Sequence, residues 1–145
     1  MKLQLIQNAQ QRYFDFYRLF MDAYMLQIEA STWLDEADNR LNIIFPDSAV
    51  HYQVTDETYK TGFISKISAE QKKYADGAYF LEVMPESRAE YSEYMDKESG
   101  GIFDSGENFH IYILLFIDHV IEVVSRTEPM FVYSYTNEWI KMSKT

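Results

Sequence analysis

The chain has 145 residues, 47% of them hydrophobic and 25% charged, with 23 acidic side chains against 13 Lys and Arg and a formal charge of −10. That length suits one globular domain, residues 1–145, that folds on a hydrophobic core alone. The absence of cysteine excludes disulfides, thiolate nucleophiles and Cys-ligated metals, and the acidity disfavours nucleic acid as a partner through repulsion from phosphates.

The opening MKLQLIQNAQQRYF interrupts its apolar residues with Gln4, Gln7 and Asn8, which is too polar for the core of a secretion signal. The longest apolar run, Ile111–Ile117, is far shorter than the ~20 residues of a membrane-spanning helix. The expectation is a soluble cytoplasmic protein with no membrane partner.

Five glycines and three prolines are few for a chain that must turn often, which favours long helices. From Leu3 to Glu29, the residues Ile6, Tyr13, Phe16, Tyr17, Phe20, Tyr24 and Ile28 recur at three- and four-residue spacing and predict a long N-terminal helix. A second helix follows, capped by Ser31 or Thr32, with Trp33, Ala37, Leu41, Ile44 and Phe45 on one stripe and Pro46 at its end. A rival reading pairs MLQIEAS with RLNIIF as a hairpin across DEADN.

Next, AVHYQV alternates weakly and reads as a short strand. TDETYKTGFISKI reads as a helix capped at Thr55, with Tyr59, Phe63 and Ile67 on one face. Ser68 and Gln71 form a capping box, and Gly77 interrupts. AYFLEVM fits either a strand or a helix. Pro85 suits a first helical position and Gly100 a stop, so a helix is expected from about Pro85 to Ser99.

Residues 109–136 are ambiguous. Strict alternation fails in NFHIYILLFIDHVIEVVSRTEP, and Asp118, Glu122, Ser125 and Arg126 would share a polar face on a buried helix. The β-branched content argues for strands, and MFVYSYT shares the ambiguity. The fold class read from these elements is mainly α, a helical bundle with a long N-terminal helix and a few short strands. The alternative is α+β, with a C-terminal antiparallel sheet beneath the first helix.

Chemistry-bearing motifs are scarce. On a helix, Asp118, His119 and Glu122 would share a side, but a carboxylate-bridged metal site needs two such copies. No metal or cofactor is therefore expected. No serine sits in a nucleophile elbow, and ESGGIFDSGE lacks the lysine of a phosphate loop. Lys72 and Lys73 form the only basic doublet.

The segment Glu86–Glu107 stands out: seven carboxylates face only Arg88 and Lys97. On a helix Glu86, Glu90 and Glu93 fall within roughly 60° of one another, with Tyr91, Tyr94 and Met95 on the next stripe. Tyrosine and methionine are favoured at interface cores, and acids around them steer a basic partner. The candidate partner-binding residues are Glu86, Glu90, Tyr91, Glu93, Tyr94, Asp96, Glu98, Asp104 and Glu107. The function read from them is a small acidic inhibitor, immunity- or antitoxin-like, that neutralises a basic protein such as a toxic nuclease by occluding its active site. The alternative is an enzyme or small-ligand domain with an aromatic-lined pocket, in which His119 with Asp118, or His110, leads the titratable candidates.

Overall fold

The computed structural model describes residues 2–7, 9–10, 14–23, 25–32, 39–46, 49–60, 62, 79–94 and 109–135. They form nine strands in two antiparallel sheets. Sheet A contains β1 (Leu3–Leu5), β6 (Phe80–Val83), β7 (His110–Leu115), β8 (His119–Ser125) and β5 (Ala49–Asp56), in that spatial order. Sheet B contains β2 (Asp15–Asp22), β3 (Met25–Thr32), β4 (Asn39–Phe45) and β9 (Met130–Tyr135). A short α-helix, α1 (Arg88–Tyr94), is entered from a 3-10 turn at Pro85–Ser87.

The two sheets face each other across a shared core. Leu26, Ile28, Ala30, Leu41, Ile43 and Phe45 of sheet B meet Phe80, Tyr112, Leu114, Ile121 and Val123 of sheet A. Phe80 lies at the centre, with ring centroids 6.1 Å from Phe14 and 5.6 Å from both Phe116 and Phe131. In β3 and β4 the buried positions alternate strictly with partly exposed ones, because only one face of sheet B meets this core.

Sheet A is buried on both faces. Its outer side carries a second cluster, in which Leu81, Val83, Ile111, Ile113, Val120 and Val124 pack with Tyr91 of α1 and with Phe109. Every residue from Ile111 to Phe116 and from Val120 to Ser125 is buried in consequence. Even Glu122, between Gln53 and Ile113 in the register, is only 1% exposed.

These sheets overturn the expected helical bundle, and the α+β alternative with it. Residues 3–29 hold β1, β2 and β3 instead of a long helix. Within β2 one interval of three residues does arise, though not on the expected face. A register shift between Phe16 and Arg18 puts Phe16, opposite Ala30, and Leu19, opposite Ile28, on the same core-facing side. Two inward residues are thus three apart, whereas Phe20 of the expected helix face lies opposite Gln27 and points to the other side. The rival hairpin is the arrangement found: β3 pairs with β4 from Leu26↔Phe45 to Thr32↔Asn39. The strand expected at AVHYQV is part of β5, and AYFLEVM holds β6. Thr55 lies within β5 rather than capping a helix. The cap belongs to Asp56, which accepts a hydrogen bond from the Thr58 N–H at 2.9 Å at the head of a 3-10 turn, Glu57–Lys60. The expected helix face at Phe63 and Ile67 and the Ser68–Gln71 box lie outside the described residues, as does the 95–99 part of the helix expected from Pro85.

Candidate functional site

A polar row crosses three strands on the core-facing side of sheet A. Gln4 of β1 lies opposite Glu82 of β6, and Glu82 lies opposite Tyr112 of β7. His110, two residues before Tyr112, shares that face because side chains alternate along a strand. The Glu82 carboxylate is held from both sides. Its Oε2 accepts a hydrogen bond from Gln4 Nε2 at 2.8 Å, and its Oε1 lies 2.6 Å from His110 Nδ1. The His110 ring stacks over Tyr112, with centroids 6.0 Å apart and planes 10° apart.

A pocket of about 230 Å³ opens at this row. Gln4, Glu82 and Tyr112 line it together with Leu5, Ile6 and Gln7, and the β8–β9 connection adds Glu128 and Pro129. Tyr112 is 1% exposed, and its hydroxyl has no hydrogen-bond partner among the described residues. Burial, and after it the negative charges of Glu82 and Glu128, hold this phenol above its ordinary range, while Arg88 opposes them.

Glu82, His110 and Ser125 stand on three neighbouring strands, since Ser125 is opposite His110 in the register. The serine is nevertheless no exposed nucleophile. It is 0% exposed, its hydroxyl donates to the Thr127 carbonyl at 2.8 Å, and it accepts from the Thr127 N–H at 3.3 Å. It brackets the start of the connection into sheet B.

The nine partner-binding candidates separate. Glu86, on the 3-10 turn, and Glu90 and Glu93, on α1, are exposed, and Glu86 sits 3.8 Å from Lys2 Nζ. Tyr91 is 0% exposed and packs onto the outer face of sheet A, so it does not serve as a surface anchor. Tyr94 ends α1. Asp96, Glu98, Asp104 and Glu107 lie outside the described residues. His119 and Glu122 lie on β8, three residues apart, and therefore point to opposite faces instead of sharing one. Asp118 precedes the strand and is exposed. Among the described residues no group of three or more His, Asp and Glu is placed to hold a metal ion. Nor is any helix there long and apolar enough to cross a membrane.

Sequence reasoning named His110 but missed Glu82 and Tyr112. No local spacing links Glu82 to a histidine 28 residues away, and Tyr112 read only as one apolar residue in a run.

A second surface carries exposed aromatics beside acids. On β5, Tyr52 and Val54 are each 39% exposed, and Tyr59 in the following turn is 85% exposed. Asp56 and Glu57 lie between them in the chain, and the Glu57 N–H donates to the Asp118 carbonyl at 3.0 Å, which brings Asp118 alongside. The hydrogen bond from the Thr58 backbone, first, holds the Asp56 carboxyl below its ordinary range. β5 is also an edge strand of sheet A among the described residues. Comparison of the chain with known protein families, with curated proteins and with solved structures finds no match in any of the three.

Proposed function

We propose that this is a small acidic binding protein that docks onto a basic protein, in the manner of an immunity protein or antitoxin covering the active site of a toxic nuclease. The observation that carries this reading is the set of exposed Tyr52, Val54 and Tyr59 beside Asp56, Glu57 and Asp118 on the β5 edge. Aromatic residues supply buried anchors in interfaces, and surrounding carboxylates speed encounter with a basic partner. Glu86, Glu90 and Glu93 add to the field that a charge of −10 creates. They lie on a segment whose tyrosine at position 91 faces inward, so they steer rather than anchor.

The test is capture from a lysate of the native cell on the immobilised protein at low and high salt. Two variants serve as parallel baits, Asp56→Lys/Glu57→Lys/Asp118→Lys and Glu86→Lys/Glu90→Lys/Glu93→Lys. The expected result is one stoichiometric basic partner, held more tightly at low salt, lost on the first variant and retained on the second. Absence of a salt-sensitive basic partner on the wild-type protein, or equal capture on all three baits, would sink the reading.

A further inference from the structure

The pocket at the Gln4–Glu82–Tyr112 row has a chemistry of its own, independent of the β5 edge. Two carboxylates, Glu82 and Glu128, line it, and its remaining wall includes the apolar Ile6 and Pro129, while Leu5 borders it from a strand position whose side chain packs on the outer face of sheet A. The Glu82 carboxylate is already oriented by Gln4 and His110 at 2.8 and 2.6 Å. A carboxylate offers about four acceptor positions, so two such bonds leave others for an incoming donor. Tyr112, buried in this wall, presents a hydroxyl that no described residue engages. Buried polar groups are paired in folded proteins as a rule, so an unpaired hydroxyl in the wall of a pocket calls for a partner, and a bound molecule is one that would supply it.

From this arrangement we infer that the pocket binds a small primary amine in its ammonium form. The ammonium donates to Glu82, Glu128 and the Tyr112 oxygen, and a short apolar body lies against Ile6 and Pro129. The negative charges acting on the Tyr112 phenol come from these same two glutamates, with Arg88 opposing them, so the sign of the site selects a cation over an anion. An inorganic cation fits less well, since no group of three metal-ligating side chains gathers among the described residues and the wall is partly apolar. At about 230 Å³ the pocket falls below the roughly 300–1,000 Å³ of sites for drug-sized molecules, which limits the ligand to a few carbons.

The experiment titrates isotopically labelled protein with three probes of one size, n-butylammonium, 1-butanol and butyrate, and follows backbone amide shifts by NMR. The expected result is saturable shifts with n-butylammonium at Gln4, Ile6, Glu82 and Tyr112, with a dissociation constant on the order of 1 mM, as small ligands of this kind reach. Butanol should bind at least about tenfold more weakly, and butyrate should produce no saturable shift there. Glu128→Gln, a change at an exposed residue that leaves the fold intact, should weaken the amine about tenfold. Tyr112→Phe should weaken it severalfold, with the amide spectrum confirming folding. The inference is overturned if the amine gives no saturable shift at these residues, if butanol matches it, or if Glu128→Gln binds it as well as the wild type does. Any of these outcomes leaves the capture experiment above unaffected, because the two surfaces share no residue.

Discussion

Glu82 and His110 are 28 residues apart in the chain, yet Oε1 and Nδ1 meet at 2.6 Å between β6 and β7. The contact is diagonal, since the residue directly opposite Glu82 is Tyr112, and diagonal neighbours on one sheet face are within reach of long side chains. Both partners are largely shielded, with side-chain exposures of 33% for His110 and 15% for Glu82. Hydrogen bonds to charged groups contribute roughly 1.5–3 kcal/mol when shielded. His110→Ala is therefore expected to lower unfolding stability by about 1–2 kcal/mol in urea denaturation. Gln4→Ala, which removes the other bond to the same carboxylate, should cost less on its own. The double variant should depart from the sum of the two, because both act through Glu82. Strict additivity would show that the two bonds do not cooperate in fixing that carboxylate.

The helix α1 separates two kinds of residue that its sequence places side by side. Tyr91 is fully buried against the outer face of sheet A, whereas Glu90 and Glu93 are exposed. Truncation of a large buried aromatic costs roughly 3–5 kcal/mol, so Tyr91→Ala should leave a protein that is close to unfolded or melts far lower. Charge reversal at Glu93 should change stability by no more than about 0.5 kcal/mol, as is usual for a surface site. Thermal unfolding of the two variants checks this directly. Comparable losses would mean that Tyr91 does not pack as described.

How far the sequence predicts the fold depends on how many faces of each strand are buried. β3 and β4 were legible only as the rival hairpin, although Leu26, Ile28, Ala30, Leu41, Ile43 and Phe45 alternate with polar or partly exposed neighbours. β7 and β8 were not, because both faces of sheet A are covered and the expected alternation disappears into a continuous apolar run. β2 misled for a different reason, since the shift at Phe16 and Arg18 moved the inward positions out of step. The pocket was the least legible part. Its residues come from β1, β6, β7 and the β8–β9 connection, and only the strand order brings them together. Of these neighbours, His110 alone drew notice, as a titratable residue in an apolar segment.

The β2–β3 hairpin turns at Ala23, which takes a left-handed conformation with φ 54°. Asp22 and Met25 pair on either side, leaving two residues in the loop. Such tight turns favour glycine or asparagine, because a Cβ in left-handed geometry costs roughly 1–2 kcal/mol. Ala23→Gly relieves that cost but gives the unfolded chain more freedom. The net expectation is a gain of about 0.5–1 kcal/mol in unfolding free energy, with an unchanged urea m-value. A loss of stability in this variant would contradict the left-handed turn.

His51 links the fold to pH. It lies on β5, opposite Val124, and its Nε2 is buried with no partner among the described residues. Burial lowers its pKa from the ordinary 6.5, because the charged ring is poorly solvated there. The unfolded chain then binds a proton at a higher pH than the folded protein does. Between the two pKa values the unfolded state holds more protons, so stability rises with pH across that window. The stabilisation is complete above 6.5 and is lost as pH falls below it towards the folded value. His51→Gln removes the titration and retains a polar side chain of similar reach. Urea unfolding at about pH 7.5 and pH 5 should show the wild type losing more stability than His51→Gln over that interval. Every other residue is common to both proteins, so a difference between the two losses belongs to position 51. Equal losses would mean that His51 is as well solvated in the folded protein as in the unfolded chain.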